Sequence, residues 1–207
     1  MGLSRPAPFL WIDNFLGSDW GDRLIAFAEE QQAAFQPSRV GASEDLHEDP
    51  SVRVSWVLKG LDGLGDELTP LVRAAMADAV PRLGLSAFPE GRLELEMAAH
   101  GDGAFFSPHI DTIAHGKVGR ASNRAVTGVY YFNRQPKAFS GGELRLLPFD
   151  WKAKGSLNAV ELTPQHDSLV LFPSWVPHEV LPICSSSSDF LDSRFAINCW
   201  LWKAKPE

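Results

Sequence analysis

From residue 91 onward the chain runs as short apolar-rich stretches broken by Gly, Pro and Asn, and this texture limits the fold more than anything else in the 207 residues. The stretches span 92–98, 104–110, 125–132, 143–147, 160–162, 168–172, 178–181 and 193–202. Short strands in this number, with turn signals and no helical pattern between them, specify an all-β sandwich, jelly roll or barrel. The last stretch is the most informative. Its period of two sets Arg194, Ala196, Asn198 and Trp200 on one face and Phe195, Ile197, Cys199 and Leu201 on the other.

The first ninety residues have a different period. Leu24, Ile25, Phe27, Ala28 and Phe35 recur at helical spacing after Ser18 or Asp19 as a cap, and Pro37 stops the run. A second helix is expected over 68–83, with Thr69-Pro70 at its start and Gly84 near its end. Residues 52–58 alternate like one strand with an apolar face, 42–50 form an acidic solvated loop, and Ser185 to Ser188 form a flexible one. No internal repeat is visible. The expectation is one catalytic domain over 1–207, with 1–90 a largely helical support and 91–207 the β core.

The net charge, 19 − 26 = −7, argues against a broad surface for nucleic acid or anionic membranes. The N-terminus lacks the apolar run of a signal peptide, and no stretch approaches 18 apolar residues, so a cytoplasmic protein is expected. Cys184 and Cys199 are too few for a disulfide framework or a Cys-rich zinc site. They read as two buried thiols, with a single bridge left open.

Three positions can carry chemistry. His109 and Asp111, two apart on a strand, point to one face and can share a metal, although a surface His beside an acid fits the same pattern. His178, in Trp175-Val176-Pro177-His178-Glu179-Val180, is by itself a core or rim histidine. With the first pair it makes two imidazoles and one carboxylate, the donor set that favours non-haem Fe(II). Arg194 on an inward face needs a buried anion, either a bidentate ligand carboxylate or an internal Asp or Glu.

Taken in order, His109-Ile110-Asp111, Val126-Thr127-Gly128-Val129-Tyr130-Tyr131-Phe132-Asn133, Ser140-Gly141-Gly142-Glu143-Leu144-Arg145, Pro177-His178-Glu179-Val180 and Arg194-Phe195-Ala196-Ile197 resemble the Fe(II)/2-oxoglutarate-dependent dioxygenases, in the prolyl 4-hydroxylase-like branch. The similarity runs over about 93–202. It implies a mainly β protein, a double-stranded β-helix (jelly roll) core supported by N-terminal helices. It implies iron held by the catalytic residues His109, Asp111 and His178. Arg194 and Tyr131 would hold the distal carboxylate of 2-oxoglutarate, Leu144 would wall the cosubstrate, and Asn198 and Trp200 would lie near the metal.

The implied reaction uses Fe(II), 2-oxoglutarate and O2, with ascorbate in support, and hydroxylates a C–H bond with release of succinate and CO2. A prolyl residue of a protein or peptide is the implied substrate. A free amino acid or natural product, a non-catalytic jelly-roll binding module and a zinc hydrolase on the same scaffold are the other readings. The oligomeric state is not legible.

Two features depart from the branch. His100 falls where many members carry a tyrosine, and it can bind cosubstrate, contact substrate or cap a turn. The interval from His178 to Arg194 is long and holds the serine run. Outside the site, His47 and His166 read as solvent-exposed, and adding His115 to the triad would break the strand-face geometry. Arg53 can line a substrate groove, while Trp56 reads as core. Lys117, Arg120 and Arg124 either solvate a loop or meet an acidic partner.

Overall fold

The computed structural model of the chain describes residues 6–41, 46–112, 123–148 and 158–204. His115, Lys117, Arg120 and residues 42–45 of the acidic loop lie outside the described residues. The element order is β1 (Leu10–Asp13), α1 (Ser18–Glu30), β2 (Gln36–Pro37), β3 (Arg53–Val54), β4 (Trp56–Lys59), α2 (Asp62–Arg82), β5 (Glu90–His100), β6 (Phe105–His109) and β7 (Arg124–Phe132). It continues with β8 (Phe139–Gly141), β9 (Leu144–Leu146), β10 (Val160–Leu162), β11 (Ser168–Pro173), β12 (His178–Val180), β13 (Ile183–Ser185) and β14 (Arg194–Lys203). A seven-stranded sheet has the order β1-β11-β7-β14-β5-β4-β2, and a five-stranded sheet has β10-β9-β12-β6-β3. β8 and β13 form a separate pair, and the strand pairings are antiparallel.

The large sheet is buried on both faces, which explains why β7, β11 and β14 read as nearly continuous apolar runs. One face packs on the helices through Leu24, Leu68, Met76, Met97, Phe195 and Ile197. The other packs on the small sheet, where Val129, Tyr131, Val170 and Ala196 meet Leu144 and Leu146. Gly128 permits the first contact, since a Cβ there would lie 2.8 Å from Met76 Cε and 2.9 Å from Leu171 Cδ2.

Each of the expected strands after residue 90 is present within a few residues. The N-terminal part differs more. Its two α-helices share residues 1–90 with β1 to β4, which join the two sheets. α2 starts at Asp62, not near 68, and keeps Pro70 inside it. Burial of Leu68, Val72, Met76 and Ala79 outweighs the missing proline donor. The expected strand over 52–58 is broken at Ser55, because β3 belongs to the small sheet and β4 to the large one. Its supposed apolar face is partly outside: Val54 is 37% and Trp56 48% exposed, whereas Val57 and Leu58 are buried.

No side chain caps α1. The buried Asp167 instead accepts the backbone N–H groups of Leu16 at 2.8 Å and Gly17 at 2.9 Å, together with the Tyr130 hydroxyl. This is favourable placement of an anion at a helix N-terminus. His166 is not a surface residue either. Its Nδ1 accepts the Asn133 N–H, and its ring packs where a Gly21 side chain would be. The serine run is tied down, since Ser187 donates to Asp192 and Arg134 pairs with both Asp189 and Asp192. Cys199 is buried, but Cys184 is exposed and both thiols are free, so the two-buried-thiols expectation fails at Cys184. Among the described residues no helix is long and apolar enough to cross a membrane.

Candidate active site

The register of the small sheet sets His178, the first residue of β12, directly opposite His109, the last of β6. Asp111 lies just past the end of β6, in a turn instead of on the strand, and its N–H donates to the Ser174 carbonyl at 3.1 Å. The three side chains converge nonetheless. His109 Nε2 is 3.8 Å from Asp111 Oδ1, His178 Nε2 is 3.7 Å from Oδ2, and the ligand atoms of all three lie within 4.8 Å of one another. Among the described residues no fourth His, Cys, Asp or Glu joins the cluster.

Both imidazoles are oriented in the same way. His109 Nδ1 is 2.9 Å from the Ser107 carbonyl, and His178 Nδ1 is 2.9 Å from the Val176 carbonyl. A carbonyl only accepts, so each Nδ1 carries the hydrogen and each Nε2 lone pair faces the cluster. Asp111 Oδ2 accepts from the Thr127 hydroxyl at 2.7 Å and from Trp200 Nε1 at 2.9 Å. Burial pushes the pKa of His109 down, with His178 adding to the effect. Burial alone would raise Asp111, but His178, His109, Arg124 and the Thr127 hydroxyl together hold it below the usual carboxylate value. The site therefore offers an ionised carboxylate between two imidazoles that each turn Nε2 toward it, a donor set suited to a divalent metal.

The same cavity reaches Arg194, Tyr131 and Leu144. Arg194 is 1% exposed, and among the described residues no carboxylate lies in hydrogen-bonding contact with it. Among the described residues its Nε and Nη2, like the Tyr131 hydroxyl, are buried without a hydrogen-bond partner. The guanidinium carbon sits 4.7 Å from the Tyr131 ring centre, close enough for charge interaction although no well-formed hydrogen bond joins them. Burial raises the tyrosine pKa against the opposing charge of Arg194. A buried cation with idle donors is costly unless a ligand anion completes it, and a carboxylate matches this fork. Gly142 makes room for it: a Cβ there would lie 2.7 Å from Arg194 Cδ.

The expected site residues His109, Asp111, His178, Arg194, Tyr131, Leu144, Asn198 and Trp200 all border this one cavity, as do His100 and Arg53. Trp56 is on the exposed side of β4 and takes no part. Several supporting groups were not legible. Thr127 shares a face with Tyr131, which was the signal for it, but its bond to Asp111 was not foreseen. Arg124, expected only as part of a charged loop, lies over the Trp200 ring at 4.0 Å and pairs with Glu94 at 3.2 Å. Phe106 stacks on His109 with ring centres 3.6 Å apart. Ser107-Pro108-His109 and Val176-Pro177-His178 repeat one local pattern, a sequence signal for the two carbonyl anchors.

Comparison with known proteins agrees with this geometry. An uncharacterized PKHD-type hydroxylase from Synechocystis sp. is 29% identical over 203 residues, covering 96% of this chain and 64% of the relative. The chain thus spans a little under two-thirds of that relative's length. The structure resembles a prolyl-4-hydroxylase from Pseudomonas putida, with a TM-score of 0.66 at 21% identity over 96% of this chain and 94% of that one. It also resembles a prolyl hydroxylase from Trichoplax adhaerens in complex with a hypoxia inducible factor oxygen degradation domain peptide, with a TM-score of 0.68 at 24% identity over 95% and 84%. These two likenesses concern the fold. The sequence profile of the 2OG-Fe(II) oxygenase superfamily matches residues 95–202, more than half of the chain and every residue of the cluster, and this chain belongs to that superfamily.

Proposed function

We propose that this protein is an Fe(II)- and 2-oxoglutarate-dependent dioxygenase that hydroxylates a C–H bond, most specifically of a prolyl residue in a protein or peptide. One observation carries the reading. A half-buried cluster of two oriented imidazoles and one carboxylate shares a cavity with a fully buried arginine whose Nε and Nη2 are idle among the described residues. The donor set fits non-haem iron, and the idle guanidinium fits the far carboxylate of a 2-oxo dicarboxylic acid.

In this reading residues 1–207 form a single catalytic domain, and the two facing sheets are the double-stranded β-helix of the family. His109, Asp111 and His178 hold the metal. When bound, Fe(II) with 2-oxoglutarate and O2 supplies the oxidising power that hydroxylates substrate and yields succinate and CO2. The chain's own groups orient and exclude water. Arg194 and Tyr131 fix the cosubstrate's distal carboxylate, Leu144 closes one wall, and Thr127 and Trp200 hold the Asp111 carboxylate. Asn198 borders the space between the two ends. Phe106 and Trp200 offer rings beside the triad, a lining suited to an uncharged pyrrolidine ring. The prolyl-hydroxylase relatives support the same substrate class.

The test is an anaerobic titration with Fe(II) and then 2-oxoglutarate, followed by exposure to O2 with a panel of prolyl peptides. The expected outcome is a visible metal-to-ligand charge-transfer band, absent in His109→Ala, and hydroxyproline formed in step with succinate. A folded, metal-loaded protein with no band sinks the dioxygenase reading. A band with succinate formed only on free amino acids or other small molecules sinks the prolyl one.

A further inference from the structure

We propose that His100 is a positioning residue that works through Arg194. It occupies one arm of the guanidinium and so presents the Nε and Nη2 edge to the cosubstrate's distal carboxylate. The inference rests on the cosubstrate reading above and adds to it a residue and a direction of approach.

The two residues are directly opposite on β5 and β14, and directly opposite residues point to the same face of a sheet. Both are buried, His100 at 4% and Arg194 at 1% exposure. Arg194 Nη1 lies 3.5 Å from His100 Nδ1, the outer limit of a hydrogen bond. A guanidinium has no acceptor, so in this pair Nδ1 must accept, and a neutral imidazole then keeps its proton on Nε2. The ring stays neutral because burial, and then the charges of Arg194 and Arg53, work against protonation.

The consequence lies in which donors remain. One N–H of Nη1 is directed at His100, whereas Nε and Nη2, the adjacent pair along one edge of the fork, are buried and unpartnered among the described residues. A bidentate carboxylate can complete both at once only by meeting that edge. The Tyr131 hydroxyl, idle in the same cavity, gives the anion a third donor. His100 thus leaves the Nε–Nη2 edge as the one on which neither nitrogen has a partner, and biases the carboxylate toward it.

The experiment measures binding rather than turnover, by calorimetry on Mn(II)-loaded protein, with 2-oxoglutarate and with 2-oxopentanoate, which lacks the distal carboxylate. His100→Phe keeps the ring's bulk and removes the acceptor, and His100→Asn keeps an acceptor near the Nδ1 position. The expected result is a loss of about tenfold or more in 2-oxoglutarate affinity for His100→Phe, from an uncompensated arginine donor. His100→Asn should recover most of it. Neither variant should change 2-oxopentanoate or Mn(II) affinity, and adding His100→Phe to Arg194→Met should cause no further loss.

Equal 2-oxoglutarate affinity in wild type and His100→Phe overturns the inference. So does a parallel loss of 2-oxopentanoate binding, which would mean direct contact of His100 with the oxo-acid end. Failure of the wild type to bind 2-oxoglutarate at all overturns the functional reading itself, and the inference with it. Should His100→Phe not fold, His100→Leu, which also lacks the acceptor, is compared in the wild-type and Arg194→Met backgrounds, and an equal loss in both overturns the inference.

Discussion

The two ends of the cavity are finished to different degrees. At the triad the protein satisfies nearly everything itself. Each histidine is fixed through its Nδ1, and Asp111 receives the Thr127 hydroxyl and the Trp200 indole within 3 Å. At the other end Arg194 Nε, Arg194 Nη2 and the Tyr131 hydroxyl are buried with no partner. One end is preorganised by internal bonds, and the other stores a deficit that only an incoming anion removes. A permanent metal site and an exchangeable cosubstrate site need opposite designs. The first must hold its ligands in one geometry. Under the proposed function, the second must release its occupant as a smaller product at every turnover.

The largest test of this contrast removes a ligand at the finished end. Asp111→Ala should abolish both metal binding and succinate formation, a loss of at least about a thousandfold by equilibrium dialysis and product assay, because the carboxylate supplies the charge and one of three protein ligands. Retained metal affinity would show that the triad is not the metal site.

Next comes the unfinished end. Arg194→Met should weaken 2-oxoglutarate binding by about 2–5 kcal/mol while leaving Mn(II) affinity near wild type. The same change should make the ligand-free protein more stable, by about 1–4 kcal/mol in denaturant unfolding, since an uncompensated buried charge is replaced by packing. A destabilised ligand-free variant would mean that Arg194 is already satisfied. At the triad the opposite holds: Thr127→Val takes a bond from a satisfied carboxylate and should lower metal affinity about 10- to 100-fold. The cosubstrate's distal carboxylate should bind that variant as before.

The contrast between the two ends also explains what the sequence revealed. His109, His178, Arg194 and Tyr131 were legible as neighbours because each sits on a strand, whose period of two fixes its face, whereas Asp111 converges with them from a turn and was named through the family resemblance. Asp167, His166 and Thr127 were not, because their partners lie 16 or more residues away and local patterning carries no trace of such pairings. The same reason hid β8 and β13, each three residues long and defined only by mutual pairing. The misreading of residues 52–58 is instructive. Alternation was present, but the chain changes sheet at Ser55, so the solvent-facing side was assigned to the core.

A pH experiment separates the ends by their titration windows. His100 is pushed well below its ordinary value of 6.5 by burial and then by Arg194 and Arg53. Between its folded pKa and 6.5 the unfolded chain binds a proton that the native state does not, so stability falls as pH drops below 6.5 and is unaffected well above it. His109, also depressed, adds a loss of the same sign. Asp111, depressed as a carboxylate, contributes fully above the usual 3.8 and loses that contribution as the pH falls from there through its folded pKa. Urea unfolding of metal-free protein at pH 7.5 and 5.5 should therefore show a loss, of which His100→Phe removes about 1.4 kcal/mol, a tenfold change in the unfolding equilibrium. An unchanged difference between the two pH values would mean that His100 is protonated in the native state.

The smallest expected effect concerns how the triad is held. Each histidine of the triad follows a proline, and its Nδ1–H reaches the carbonyl just before that proline. Proline fixes its own φ and keeps the preceding residue extended, so the carbonyl two residues back has few directions left. Pro108 and Pro177 thereby stiffen the bond from within the same three-residue stretch of chain. Arg194 has no such local brace, and its neighbours His100 and Tyr131 come from β5 and β7. Replacing Pro108 by Ala should cost about 0.4–1 kcal/mol, or roughly two- to fivefold in metal affinity, with 2-oxoglutarate affinity unaltered once metal is saturating. An unchanged metal affinity in the Pro108→Ala, Pro177→Ala double variant would place the whole constraint in the pairing of β6 with β12. The finished end would then depend on its neighbouring strands as fully as the unfinished one does.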